Sequence, residues 1–168
     1  NVDKNCIFIV GLPRSGKTLV ESILSCNKSL LKTGENLFLS RAINEYLNNK
    51  EEKNSESLEE IFLRNFACND KNNSFVCTTT PSNFIYTGFI AKLMPNSKII
   101  YCYRNILDNV IELYSNNLKN KYTFKTCLEE STKFAIELNK QMKIYKQLFP
   151  KSIYFLNYDS LVNNTENE

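Results

Sequence analysis

The stretch that most constrains this chain is Gly11 to Thr18, "GLPRSGKT". It has the form G-x-x-x-x-G-K-[ST], a loop whose backbone N–H groups cradle phosphate. Such a loop works between a buried strand and a helix, where the helix N-terminus adds partial positive charge. The flanking residues meet that requirement. "CIFIV", Cys6 to Val10, is a short apolar run rich in β-branched and aromatic residues, which predicts a buried strand. "KTLVESILSC" follows, with Leu19, Val20, Ile23 and Leu24 at helical spacing. Gly11 and Gly16 let the backbone turn and come close to an anion. Arg14 and Lys17 contribute full charges, and Ser15 and Thr18 contribute hydroxyl donors.

The rest of the chain alternates in the same way. "SFVCTTT", "SKIIYCY" and "SIYFLNY" read as further strands, the second nearly all apolar and so central and parallel. "NLFLSRAINEYL", "SLEEIFLRNFA", "PSNFIYTGFIAKLM", "NILDNVIELYSNN" and "FKTCLEESTKFAIELNKQMKIYKQLF" read as helices. Ser57 and Glu60 form a capping box, and Pro81 opens a helix that Pro95 follows. "NKSLLKTGENLF" reads as a loop ending at Gly34–Glu35, and residues 49–56 as a mobile polar insert. These elements predict one α/β domain over residues 1–168. Its expected form is a three-layer P-loop-type fold, with a central, mainly parallel sheet of four to five strands flanked by helices. Ligands of such sheets bind beyond the carboxyl ends of the strands. Those ends are the Gly11 loop, Thr78–Thr80, Arg104 and Tyr158–Asp159.

Composition narrows the chemistry. The chain has no histidine, so base catalysis falls to a carboxylate, Lys, Tyr or Cys. Only four arginines occur, and two of them, Arg14 and Arg104, stand at strand ends, where Arg suits phosphate better than Lys does. The six cysteines contain no C-x-x-C pair; Cys6, Cys77 and Cys102 fall in strands and read as buried thiols. A net charge of +3 gives no argument for nucleic acid, and no apolar run has the length of a membrane span. The N-terminus enters a strand without a leader pattern. The expectation is a piece of a longer, cytoplasmic protein.

A triphosphate-using enzyme needs an acid at a neighbouring strand end to hold magnesium. Asp159 is the one residue that answers that need, whereas Arg104 ends the third of the long strands and points to a second phosphate site without a metal. Three segments in register then bring out a resemblance. "IFIVGLPRSGKTLVESIL" resembles the PRSGTT loop of sulfotransferases, "PNSKIIYCYRNILDNVIELYSNN" their 3′-phosphate motif, and "YFLNYDSL" the strand and acidic turn that follow. The chain is most similar to bacterial sulfotransferases joined to tetratricopeptide repeats and to tyrosylprotein sulfotransferases, over about residues 6–162. The resemblance implies a co-substrate, 3′-phosphoadenosine-5′-phosphosulfate (PAPS), with 3′,5′-diphosphoadenosine as product, no metal, and a hydroxyl acceptor on a protein, sugar or small alcohol. It implies that Arg14, Ser15, Gly16, Lys17 and Thr18 cradle the 5′-phosphosulfate and that Arg104 holds the 3′-phosphate. Gly34–Glu35 matches the family's "GE", which makes Glu35 the base; from the residue alone, Glu35 reads first as an acid at a helix start, and the resemblance reverses that.

The departures from the family pattern fall on the chemistry. Lys17 stands in place of a threonine, which creates the match to triphosphate loops and adds a cation near the leaving group. Thr79 stands where relatives carry a transition-state lysine, and Lys17 is its candidate substitute. Glu112 stands where a serine would donate to the 3′-phosphate. A carboxylate there repels a dianion, so Glu112 turns to solvent, the donor differs, or activity is lost. Relatives also continue past this C-terminus with donor- and acceptor-binding segments. The alternatives are a magnesium-dependent P-loop kinase or nucleotidase using Lys17 and Thr18, and an inactive nucleotide-binding module.

Overall fold

Side-chain alternation along the strands sorts the apolar residues into two sets, and two sets require cover on both faces of the sheet. In the computed structural model, which describes residues 5–49, 56–66, 74–115 and 127–166, strand β1 (Asn5–Val10) sends Cys6, Phe8 and Val10 into one core and Ile9 into the other. Strand β4 (Lys98–Tyr103) divides Ile99 and Tyr101 from Cys102, and β5 (Ile153–Asn157) divides Ile153 from Leu156. Strands β2 (Leu30–Lys32) and β3 (Phe75–Thr78) complete a sheet of order β2–β3–β1–β4–β5, parallel throughout.

The larger core lies under five helices: α2 (Phe38–Asn48), α3 (Leu58–Arg64), α4 (Thr87–Leu93), α5 (Ile106–Ser115) and α6 (Leu128–Leu148). Its densest part is aromatic: Phe62 meets Phe8 at 5.2 Å and Phe66 at 5.3 Å between ring centroids. The smaller core lies under α1 (Lys17–Leu24) and α7 (Tyr158–Asn163), which contribute Val20 and Leu161. The expected three layers are therefore present.

Two elements differ from expectation. β2 lies in the segment read as a loop. Three residues are too short to show a period, and the strand exists through its partner: Leu30 and Lys32 pair with Phe75 and Cys77, and Thr33 donates from both N and Oγ1 to the Cys77 carbonyl, at 2.9 and 2.8 Å. The helix expected from Pro81 begins as a 3-10 helix, Pro81–Tyr86, with Asn83 N–H on the Thr80 carbonyl at 3.0 Å, and becomes α-helical at Thr87. The Ser57–Glu60 capping box forms in both directions. Cys6, Cys77 and Cys102 are buried and free, and burial raises each thiol to about 12. Residues 50–55 of the polar insert and Cys68 lie outside the described residues.

Candidate active site

The phosphate loop leaves β1 at its carboxyl end and is shaped by what surrounds it. Gly11 has φ +146°, and a Cβ there would stand 2.3 Å from the Cys102 carbonyl oxygen on β4. Gly16 has φ +95°, and a Cβ would stand 2.1 Å from Cδ2 of the Tyr158 ring. Both positions therefore exclude any side chain. Arg14 also has positive φ, +66°, a conformation that costs a non-glycine residue about 1–2 kcal/mol. Its guanidinium is half exposed. From α5, the buried Asn109 donates its amide to the Pro13 carbonyl at 2.9 Å and ties down the crest of the loop.

Lys17 is buried below the loop. Its Nζ donates to the carbonyls of Gly11 at 3.1 Å and Leu12 at 2.7 Å, so the ammonium neutralises the loop's own acceptor oxygens. Burial lowers its pKa to about 8, with Cys102 and Glu35 pulling the other way. Thr18 is exposed on the first turn of α1.

Arg104 follows β4 directly. Its guanidinium carbon lies 5.2 Å from the centroid of the Tyr158 ring, the same ring that closes on Gly16. Its Nη2 lies 3.9 Å from Asp108. Tyr158 thus joins the loop to Arg104, a contact that sequence reasoning missed; the only signal was an aromatic residue at a strand end. Asp159 accepts the backbone N–H of Asn105 on Oδ2 at 2.9 Å, which ties the end of β5 to the chain entering α5.

Among the described residues, two buried side-chain polar atoms have no partner: Ser15 Oγ and Arg104 Nε. A buried donor without a protein partner is costly, so such atoms are where an ordered water or a ligand binds. These two belong to the loop and to the cation beside it.

Glu35 stands exposed on the turn after β2. That turn is fastened to the end of β3. Thr79 N–H and Thr78 Oγ1 donate to the Gly34 carbonyl at 3.2 and 3.1 Å, and Asn36 exchanges hydrogen bonds with Thr80 Oγ1, its N–H donating at 2.8 Å and its carbonyl accepting at 2.7 Å. The turn follows the carboxyl end of β2 as the loop follows that of β1, so in this parallel sheet Glu35 and Lys17 stand at the same end, and the carboxylate pulls the Lys17 pKa upward against burial.

Glu112 reaches the loop from α5, with its Oε2 3.5 Å from Arg14 Nε. The residue that looked repulsive towards a dianion is therefore paired with a loop cation. Arg14 meets Glu112, Gly16 and Arg104 both meet Tyr158, and Lys17 lies under the loop within electrostatic reach of Glu35.

A protein-family model described as "Sulfotransferase family" matches residues 6–168. An uncharacterized protein of Aquifex aeolicus is 28% identical over 183 residues, which cover 97% of this chain and 24% of that protein. The chain thus spans about a quarter of that relative's length. Among solved structures, a sulfotransferase from Alicyclobacillus acidocaldarius aligns with TM-score 0.58 at 18% identity, over 95% of this chain and 75% of that one. A mouse sulfotransferase complexed with PAP aligns with TM-score 0.53 at 12% identity, over 97% and 54%. A shikimate kinase from Bacteroides thetaiotaomicron also aligns, with TM-score 0.53 at 15% identity, over 92% and 86%. At these identities the structural likeness is one of fold, which sulfotransferases and a kinase share; the family match separates them. No helix among the described residues is long and apolar enough to cross a membrane.

Proposed function

The chain belongs to the sulfotransferase family, and from that premise we propose that it transfers a sulfuryl group from PAPS to a hydroxyl acceptor. The observation that carries the reading is the pair of unpartnered buried atoms, Ser15 Oγ and Arg104 Nε, on the two features that would hold the two phosphate-bearing ends of such a donor. Bound there, PAPS supplies an activated sulfur and a stable leaving group.

The chain's residues divide the work as follows. Backbone N–H groups of residues 14–18, Ser15 Oγ and Arg14 bind the 5′-phosphosulfate, and Arg104, braced on Tyr158, binds the 3′-phosphate. Glu35 takes the proton from the acceptor hydroxyl while its oxygen forms the new bond to sulfur. As the sulfur–oxygen bond to the phosphate breaks, the electron pair stays on the phosphate oxygen, where Lys17 and the loop amides offset the growing charge. To act there, Lys17 Nζ exchanges the Gly11 and Leu12 carbonyls for the anion.

The competing kinase reading rests on Lys17 and Thr18 in the triphosphate pattern. It asks for an acid on magnesium beside the loop, and the residue that directly follows β4 is the cation Arg104. The test is transfer of labelled sulfate from PAPS to a panel of phenolic, sugar and alkyl hydroxyls. Transfer by the wild-type chain and its loss in Glu35→Gln, with donor affinity unchanged, is the expected result. Undiminished transfer by Glu35→Gln would remove Glu35 as the base.

A further inference from the structure

The turn that carries Glu35 is gripped from two sides, and one grip is a carboxylate that no step above uses. Glu21 lies on α1, one turn beyond Lys17, and is buried. A buried carboxylate is unfavourable unless it is paired and hydrogen-bonded. Glu21 is both: Oε1 accepts the Gly34 N–H at 3.2 Å, and Oε2 lies 3.3 Å from Lys32 Nζ at the end of β2. The Gly34 carbonyl meanwhile receives Thr79 N–H and Thr78 Oγ1 from the end of β3. Gly34 is therefore held at its N–H by the helix that starts in the phosphate loop, and at its carbonyl by the sheet. The next residue is Glu35.

We infer that Glu21 is a positioning residue: through the Gly34 N–H it fixes the distance between the phosphate loop and Glu35, with Lys32 balancing its charge. The inference rests on the reading of Glu35 as the base. A merely structural tie on an edge strand makes a different forecast, because loss of such a tie would weaken folding and donor binding together.

Three variants of the full chain separate the cases. Glu21→Gln keeps an oxygen acceptor for Gly34, Glu21→Asp keeps the charge but withdraws its reach, and Glu21→Met fills the space with no acceptor. The readouts are amide exchange at Gly34, kcat with the KM for PAPS, and titration with 3′,5′-diphosphoadenosine. In Glu21→Met and Glu21→Asp, exchange at Gly34 should quicken about tenfold or more, with the β4 amides unchanged. In the same two variants kcat should fall about tenfold or more, with KM and diphosphoadenosine affinity within about threefold of wild type. Glu21→Gln should stay within about threefold of wild type throughout, since the hydrogen bond survives. If Glu21→Met does not fold, Glu21→Asp carries the test. Unchanged Gly34 exchange in the variants, a KM that rises in step with the fall in kcat, or a Glu21→Gln as impaired as Glu21→Met would each overturn the inference. Its failure is separable from that of the reading beneath it. A wild type that transfers, with Gly34 exchange indifferent to Glu21, sinks only the grip; Glu35→Gln that transfers undiminished, with Gly34 exchange responding to Glu21, sinks Glu35 as the base.

Discussion

Arg104 keeps a buried Nε without a partner while its ring neighbour holds it against the loop, and this decides what its loss should do. A charge-assisted hydrogen bond is worth about 1.5–3 kcal/mol. Arg104→Ala should therefore weaken 3′,5′-diphosphoadenosine about 10- to 150-fold and leave adenosine 5′-phosphate nearly unchanged, as read by calorimetry. Equal losses for both would show that Arg104 does not read the 3′-phosphate. Lys17 gives a second prediction, through pH. Its folded pKa of about 8 lies below the ordinary lysine value of 10.5 because burial penalises the charge. Between those two values the unfolded chain binds more protons than the folded one, so this group makes stability rise with pH, and its contribution is lost as pH falls through about 8. Relative to Lys17→Met, the wild type should gain up to about 3 kcal/mol between pH 7 and pH 10.5 in denaturant unfolding. The comparison with Lys17→Met removes the opposing effect of the buried thiols Cys6 and Cys77 above pH 9, which both proteins share, while Cys102 is coupled to Lys17 and is held constant by making the comparison in a Cys102→Ala background.

Helix α5 touches the loop twice, once with a buried amide and once with an exposed ion pair, and the two contacts should differ in weight. Asn109→Ala removes a buried donor from the Pro13 carbonyl and should cost about 1–3 kcal/mol of stability, with a looser loop. The Arg14–Glu112 pair is about half exposed, where such pairs contribute about 1 kcal/mol or less. Glu112→Ser should therefore leave stability within about 1 kcal/mol and tighten diphosphoadenosine binding, because it removes an anion competing for Arg14. Weaker binding in Glu112→Ser would instead make Glu112 a support for Arg14 in its left-handed conformation. The phosphate loop was readable because Gly11, Gly16, Arg14, Ser15 and Lys17 sit within eight consecutive positions between two periodic elements. The four longer strands and the capping box at Ser57 were readable for the same local reason. What escaped was non-local. β2 exists through its ladder with β3, Tyr158 matters through Gly16 and Arg104, and Glu21 acquires its partner only when the fold brings the Gly34 N–H to its carboxylate. That Glu112 meets Arg14 is equally non-local, because the two residues lie on different elements and come together only in the fold.

Five parallel strands in the order β2–β3–β1–β4–β5 bring the loop, Arg104, the β3 threonines and Glu35 to one end of the molecule, and the same architecture serves a kinase. The fold therefore does not choose between nucleotides; the groups at the strand ends do. A magnesium-bound triphosphate asks for a carboxylate on the metal beside the loop. The residue that follows β4 is a cation, Arg104, which lies against the Tyr158 ring. A 3′-phosphorylated adenosine asks instead for two separate anion sites, one in the loop and one next to it, the places where Ser15 Oγ and Arg104 Nε are buried without a partner. Titration of the chain with 3′,5′-diphosphoadenosine in the presence of a chelator should show binding, and titration with ATP and magnesium should show affinity at least about tenfold lower, since Arg104 gains no 3′-phosphate there. Adding magnesium to the first titration should change little. Tighter binding of ATP that disappears with the chelator would reverse the assignment and make Lys17 and Thr18 the working pair of a kinase. Binding of diphosphoadenosine without transfer to any acceptor, repeated on a longer chain that extends towards the relative's full length, would leave a donor-binding domain that has kept the loop and Arg104 but lost the reaction.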